Sequence, residues 1–189
     1  MLYKNYIKNI LDFLAALILL LCIWWLLLII AIVILVTDGM PVFFTQKRIG
    51  QYGKEFKIYK FRTMVKNAEA IGPKATADGD KRITPVGRFL RKTSLDELPQ
   101  VFNLLKGDMS LVGFRPGVLE NYEEIDFRSG MFNVKPGITG YAQVNGRSSL
   151  TIDEKRSWEL KYVKDISFAT DLKIILKTIT VVLKRSNSN

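Results

Sequence analysis

Asp96 and Glu97 stand side by side in Ser94-Leu-Asp-Glu-Leu-Pro-Gln100, in a chain that contains no histidine. Without histidine there is no imidazole base, no neutral nitrogen ligand for a metal and no Ser-His-Asp triad. Polar chemistry therefore falls to carboxylates, to Arg and Lys, or to a bound hard cation. Adjacent carboxylates in a first helical turn point about 100° apart, yet both reach one ion or phosphate near the helix start. One can attack phosphorus while the other helps hold Mg²⁺ or moves a proton. The same pair can also serve as ordinary first-turn acids, each complementing the helix dipole by about 0.3–1 kcal/mol.

The cations around this pair suit phosphate. Arg91 and Lys92 lie just upstream, close enough to offset the carboxylates and clamp phosphoryl oxygens. Arg115 stands in Gly113-Phe-Arg-Pro-Gly117, a tight loop that presents one guanidinium for a planar oxyanion contact. Lys60 and Arg62, in Lys60-Phe-Arg-Thr63, fall on one face of a strand. Lys135-Pro-Gly-Ile-Thr-Gly140 and Gln143-Val-Asn-Gly-Arg147 supply glycine turns and amide donors. Backbone amides in such segments approach phosphates, and Asn or Gln side chains, such as Asn145, read hydroxyls and base edges. Neither a GxGxxG fingerprint nor a P-loop is present.

The elements that position these residues are legible in outline. Val42 to Thr45 and Phe56 to Phe61 alternate around a Gly-containing turn and predict a β-hairpin. Residues Asn67 to Asp80 read as an exposed loop. Thr84-Pro85 predicts a short helix through about Lys92. Ser94 and Glu97 fit a capping box, which predicts a helix from there to Lys106 with Gly107 as its C-cap. After Gly107 irregular structure is expected through Gly113–Gly117 and Lys135–Gly140, then helices over about Ile152 to Val163 and Asp171 to Lys184. In the last, Leu172, Ile175, Leu176, Ile179, Val182 and Leu183 form an apolar stripe opposite Lys173, Lys177, Thr180 and Lys184. That pattern suits either a core-packed surface helix or one lying in a headgroup plane.

Phe13 to Val36 are 24 consecutive apolar residues. As a helix they extend roughly 36 Å, enough for a hydrocarbon core of about 30 Å. Lys4 and Lys8 precede the run and Lys47, Arg48, Lys54, Lys57, Lys60 and Arg62 follow it, so the heavier C-terminal side is expected on the cytoplasmic face, and the same rule allows both ends there. The net charge of +10 resides in residues 39–189, because the first 38 hold two Lys and two Asp. A basic face on an anchored domain suits anionic lipid headgroups and a pyrophosphate substrate. The charge is dispersed and no groove-reading motif accompanies it, so nucleic acid is not expected as a partner. The single cysteine, Cys22, lies inside the apolar run and forms neither a disulfide nor a cysteine metal site.

Taken in order, several motifs closely resemble the bacterial sugar transferases, specifically the small monotopic phosphoglycosyl transferases. They are Thr45-Gln-Lys-Arg48, Phe56 to Met64, Ser94 to Gln100, Leu105 to Ser110, Gly113-Phe-Arg-Pro116 and Lys135 to Arg147. The resemblance implies transfer of a sugar phosphate from a UDP-sugar to polyprenyl (undecaprenyl) phosphate, giving a polyprenyl diphosphate sugar and UMP. It implies Asp96 as the nucleophile that carries a covalent phosphosugar, and Glu97 as its partner in binding Mg²⁺ and activating the acceptor. It places Arg115 near the phosphates. In the family this element is usually Pro-Arg-Pro, whereas here Phe114 precedes the arginine. The family's membrane helix usually breaks at Ser-Pro, where this chain has Trp24-Trp25, so both a re-entrant and a spanning helix stay open.

The expected molecule is a mixed α+β, mainly helical catalytic domain (39–189) with a small β-hairpin. An N-terminal membrane helix (1–38) and interfacial amphipathic helices accompany it. The expected site is Asp96 and Glu97, both also metal ligands, with Arg91, Arg115, Lys60, Arg62, Asn145 and Arg147 on the substrate. The expected setting is the cytoplasmic face of a bacterial inner membrane, in the first membrane step of glycoconjugate synthesis. The sugar is not specified, and a homo-oligomer stays open.

Overall fold

The computed structural model describes residues 2–72, 79–146 and 149–186, without the side chains of 69 and 182–186. A helix α1 (Lys8–Thr37) follows a single π-turn at Tyr3–Ile7. The stretch Tyr3–Thr37 is the one helix among the described residues that is long and apolar enough to cross a membrane. It is unbroken at Trp24-Trp25, where the Trp25 indole nitrogen donates to the Cys22 carbonyl at 2.8 Å.

One stripe of α1 is buried: Lys8, Asp12, Ala16, Leu27, Ile30 and Ile34. Leu20, Ile23 and Leu26 bridge the gap as partly buried neighbours. Steps of three and four residues keep these side chains on one face, so the helix is docked along most of its length. Both ends are also held by polar contacts to the same domain. At one end Lys8 Nζ meets Asp171 Oδ2 at 2.6 Å, and Asp12 accepts from Ser110 Oγ at 2.6 Å and the Leu111 amide at 3.1 Å. At the other, Asp38 accepts from Thr84 Oγ1 at 2.9 Å. The outer faces expose Leu21, Trp24, Trp25, Leu28 and Ile32.

The hairpin forms as expected but longer: β1 (Phe43–Ile49) pairs antiparallel with β2 (Glu55–Phe61), from Phe43 opposite Phe61 to Ile49 opposite Glu55. The 67–80 segment holds a short helix α2 (Ala68–Ile71) where a loop was expected; residues 73–78 lie outside the described part. Helix α3 (Pro85–Thr93) starts as its sequence predicts, with the Gly87 amide donating to Thr84 Oγ1 at 2.9 Å.

The expected capping box at Ser94 is not made. Ser94 adopts a left-handed conformation (φ 58°) and ends α3, its amide donating to the Arg91 carbonyl, but its side chain caps nothing; Leu95–Gln100 is a 3-10 turn, and α4 begins only at Val101 (Val101–Lys106). Two physical reasons account for this. Pro99 lacks the amide an α-helix needs in its second turn, and the Glu97 carboxylate is drawn to Lys60 instead of back to the cap. Gly107 does end α4, at φ 77°.

The chain between 107 and 140 is more ordered than expected. β3 (Ser110–Val112) pairs in parallel with β4 (Gly137–Thr139), and α5 (Glu124–Arg128) lies between them in sequence. Helices α6 (Tyr141–Asn145), α7 (Ile152–Asp165) and α8 (Phe168–Ser186) complete the chain. Three-residue strands, Ser-Leu-Val and Gly-Ile-Thr, are too short to show a period, and pairing between residues 27 positions apart is settled only by the fold. The molecule is thus mostly helical with two small sheets.

Two apolar cores result. The first joins α1, β2, α3 and α4 through Ile34, Ile58, Phe61, Leu90 and Leu104. The second gathers Ile49, Val112, Phe114, Phe132, Tyr162 and Ile174. Leu111 on β3 touches both. In α8 the side facing the protein is Asp171 and Ile174, whereas Leu172, Leu176 and Ile179 are exposed. Part of the expected apolar stripe therefore points outward.

Candidate active site

The site lies where the two cores meet. From the first come the 3-10 turn bearing Asp96 and Glu97, strand β2 bearing Lys60, and α3 bearing Arg91; from the second, the loop after β3 brings Arg115. Asn103, fully buried on α4, ties the turn to the strand: its Oδ1 accepts from the Tyr59 amide at 3.0 Å and its Nδ2 donates to the Lys57 carbonyl at 2.7 Å. Lys60 is thereby held beside Glu97, with Nζ 2.7 Å from Oε1.

Phe114 explains how the Arg115 loop stays fixed without a proline before the arginine. Its ring is fully buried and packs edge-on against Phe132, centroids 5.2 Å apart. Its carbonyl accepts from the Gly137 amide at 2.8 Å. The arginine that follows reaches Glu97 Oε1 with NH2 at 3.5 Å. Arg91 donates from Nε to Thr63 Oγ1 at 2.8 Å.

A cavity of ≈ 860 Å³ is lined by Asp96, Glu97, Lys60, Arg62, Arg91 and Arg115 among others. Six of the expected site residues are therefore brought together. Arg62 also serves the scaffold, since NH2 donates to the carbonyls of Asp38 and Gly39 at 2.6 and 2.7 Å, closing the end of α1. Asn145 lines neither this cavity nor its neighbour: it donates to the Tyr141 carbonyl and accepts from Lys177. Arg147 lies outside the described residues.

The two carboxylates are driven apart electrostatically. Burial, and then the charge of Glu97, pushes Asp96 above the usual carboxylate range, against the pull of Lys60 and Arg91. Burial acts on Glu97 too, but Lys60 and Arg115 outweigh it and hold Glu97 below its ordinary value. Such a split assigns different roles to neighbouring acids. Among the described residues no side chain donates to Asp96, which receives a hydrogen bond from its own backbone amide. No cluster of three or more metal-ligating side chains exists among those residues. Two hard oxygen donors beside a cavity lined with cationic side chains fit Mg²⁺, which typically takes one or two carboxylates and completes its shell with substrate phosphates and water.

Arg48 and Gln143 fall in segments named from the sequence, Thr45–Arg48 and Gln143–Arg147, without a site role of their own, and Glu159 was not singled out. Arg48 lines this cavity and a second one of ≈ 790 Å³ behind Arg115, which Gln143 and Glu159 also line. Glu159 sits between Trp158 and Leu160 on α7 and carries no local signal of function.

Comparison with known proteins accords with this geometry. The model of the bacterial sugar transferase family matches residues 3–185. The chain belongs to this family. It is 44% identical over 170 residues to an undecaprenyl-phosphate galactose phosphotransferase of Salmonella typhimurium, covering 80% of this chain and 35% of that protein. It is 40% identical over 185 residues to a UDP-N-acetylgalactosamine-undecaprenyl-phosphate N-acetylgalactosaminephosphotransferase of Aeromonas hydrophila, covering 94% of this chain and 44% of that protein. An uncharacterized sugar transferase of Bacillus subtilis, EpsL, is 43% identical over 180 residues, with 94% of this chain and 87% of that protein covered. The chain thus spans under half the length of the first two relatives and most of the third. As a bacterial sugar transferase, it has its Asp-Glu pair and its Arg115 loop converging on one cavity.

Proposed function

We propose that this bacterial sugar transferase moves a sugar 1-phosphate from a UDP-sugar to a polyprenyl phosphate, releasing UMP, through a covalent phosphosugar on Asp96. The observation that carries this is the half-buried Asp96 carboxylate, which no side chain among the described residues pairs, beside a Glu97 held ionised by Lys60 and Arg115. The names of the Salmonella and Aeromonas relatives supply the donor and acceptor classes.

In the first step an Asp96 oxygen attacks the β-phosphorus of the donor. An aspartyl–phosphorus bond forms, and the bond to the bridging oxygen breaks, its electron pair leaving with UMP. In the second step an oxygen of the polyprenyl phosphate attacks the same phosphorus and returns Asp96 to carboxylate. Asp96 and Glu97 would hold Mg²⁺, whose charge would offset that of the pyrophosphate. Arg91 and Arg115 line the same cavity and supply positive charge where the transferred phosphoryl group would sit. Raising the basicity of Asp96 makes its carboxylate the better nucleophile once ionised.

A monotopic anchor, with α1 in one leaflet and the catalytic domain on the cytoplasmic face, belongs to the same reading. Two features support it. Both ends of α1 are tied by polar contacts to one domain, whereas a crossing helix needs its ends in opposite aqueous phases. Outward side chains of α1 and α8 include many apolar ones that suit contact with acyl chains, with Lys173 exposed beside them for anionic headgroups. Such an anchor delivers the lipid phosphate to a site that a soluble nucleotide also reaches.

The decisive experiment is intact-protein mass after incubation with Mg²⁺ and a pool of UDP-sugars, without lipid acceptor. A sugar-phosphate adduct that Asp96→Asn abolishes, discharged on adding polyprenyl phosphate, is expected. UMP release seen only with the lipid present, and no adduct, would replace the two-step route by direct transfer.

A further inference from the structure

The cavity behind Arg115 has no role in the chemistry above, yet its wall holds polar groups without partners. Gln143 is 8% exposed, and neither its Oε1 nor its Nε2 finds a hydrogen bond among the described residues. Glu159 is 6% exposed: its Oε1 accepts from the Arg115 amide at 3.3 Å, and its Oε2 has no partner. An orphaned buried polar group costs about 1–3 kcal/mol, so three such atoms around one opening call for an occupant that satisfies them. The cavity is of ligand size, at ≈ 790 Å³.

Its position relative to the reacting centre is set by Arg115 and Arg48, the two residues that line both cavities. The guanidinium of Arg115 faces Glu97 while its backbone amide faces Glu159. A molecule whose phosphates lie along these two arginines therefore places one end at Asp96 and the other beside Gln143 and Glu159. In a sugar nucleotide attacked at the β-phosphorus, the end away from the sugar is the base.

We propose that this second cavity is the base-reading half of the donor site, in which Gln143 and Glu159 together recognise the imide edge of uracil. That edge presents acceptor, donor and acceptor in order, at O2, N3–H and O4. The Gln143 amide offers one donor and one acceptor, a bidentate match to half of it. The third group must be a donor, and a carboxyl donates only when protonated. Burial pushes the Glu159 carboxyl up to about 8, so at neutral pH it keeps its proton while Oε1 still accepts from Arg115. Cytosine presents an amino donor and an unprotonated ring nitrogen in place of O4 and N3–H, and it clashes with this arrangement at two positions.

The inference rests on the sugar-nucleotide reading, and its test separates the two. Affinities of the full chain in lipid nanodiscs for UMP and for CMP are measured by calorimetry, alongside UMP release from UDP-sugar. Wild type is expected to favour UMP by about tenfold or more. Gln143→Glu, which removes the donor, and Glu159→Leu, which removes the carboxyl, are expected to erase most of that preference. Glu159→Gln is expected to keep it, since an amide can accept from Arg115 and donate to the base. Each variant is checked by thermal melting. Folded variants with an unchanged ratio, or with equal losses for both nucleotides, overturn the inference. A wild type that turns over UDP-sugar without preferring UMP also overturns it, and leaves the proposed function intact. A preference for UMP without any sugar-phosphate transfer supports the base site and removes the proposed reaction.

Discussion

Lys60 Nζ lies 2.7 Å from Glu97 Oε1, while Asp96, the next residue in the chain, receives no side-chain donor among the described residues. One carboxylate is committed to a cation and its neighbour is left open, a division of labour suited to nucleophilic attack on phosphorus. Asp96→Asn is nearly isosteric but cannot attack. It is expected to lower UMP release by about 10³-fold or more while leaving the melting temperature within a few degrees. The residual rate and the absence of the mass adduct check this together.

The pH dependence of turnover should carry the signature of Asp96. Because its carboxyl sits above the ordinary range, protonation removes the nucleophile at a higher pH than an unperturbed aspartate would require. The rate at limiting donor is expected to fall as pH drops, with the acid limb beginning above the usual Asp value of about 3.9. A rate that stays flat to the ordinary value would argue against this environment.

Lys60→Met should act on stability as well as on rate. Glu97 is held low in the folded state, so the ion pair stabilises above the unfolded carboxyl value and loses that contribution as pH falls through the lowered one. Both side chains are under a third exposed, at 20% and 29%, so a loss of about 1–3 kcal/mol at neutral pH is expected. The difference in melting temperature between wild type and variant should narrow toward acid pH.

Glu159 gives the opposite sign. Its carboxyl is raised to about 8, so the folded state holds a proton that the unfolded chain releases near its ordinary value of 4.5. This contribution favours folding most below 4.5 and is lost progressively as pH rises toward 8, at roughly 1.4 kcal/mol per unit. Glu159→Gln removes the penalty, and its gain in melting temperature is expected to be larger at pH 8 than at pH 5.

Gly113 is where the backbone leaves no room beside the arginine loop. A Cβ there would stand 2.2 Å from the Lys135 carbonyl oxygen, so Gly113→Ala must push β3 from β4 and move Arg115. Displacement by about 1 Å costs on the order of 10²-fold in rate. A large fall in UMP release is expected even in variant protein that still folds.

The docking of α1 is open to a direct check of sidedness. Lys8 and Asp171 form a buried pair, with side chains 9% and 7% exposed. Lys8→Met leaves Asp171 without its cation and is expected to cost about 3–5 kcal/mol. With Cys22 replaced by serine, single cysteines at Asn5 and at Gly39 should be labelled by a membrane-impermeant reagent from the same face. Labelling from opposite faces would mean that α1 crosses.

The sequence by itself determined the local elements and the chemical types. The apolar run, the hairpin, the Thr84-Pro85 helix start and the Gly107 stop depend on neighbouring residues, and they form as read. The absence of histidine, the Asp96-Glu97 pair and the cationic segments around it likewise narrowed the chemistry before any fold was known. Tertiary structure decided what depends on distant partners. The Ser94 capping box fails because Glu97 pairs with Lys60, 37 positions earlier, and Pro99 interrupts the turn. The parallel pair β3–β4, the burial that holds Phe114 in a proline's place, and the separation of Asn145 from the cavity all follow from contacts across the chain. Gln143 and Glu159 are the clearest case. An amide and a carboxylate are ordinary in solvent, and only enclosure without partners turns them into groups that demand a ligand.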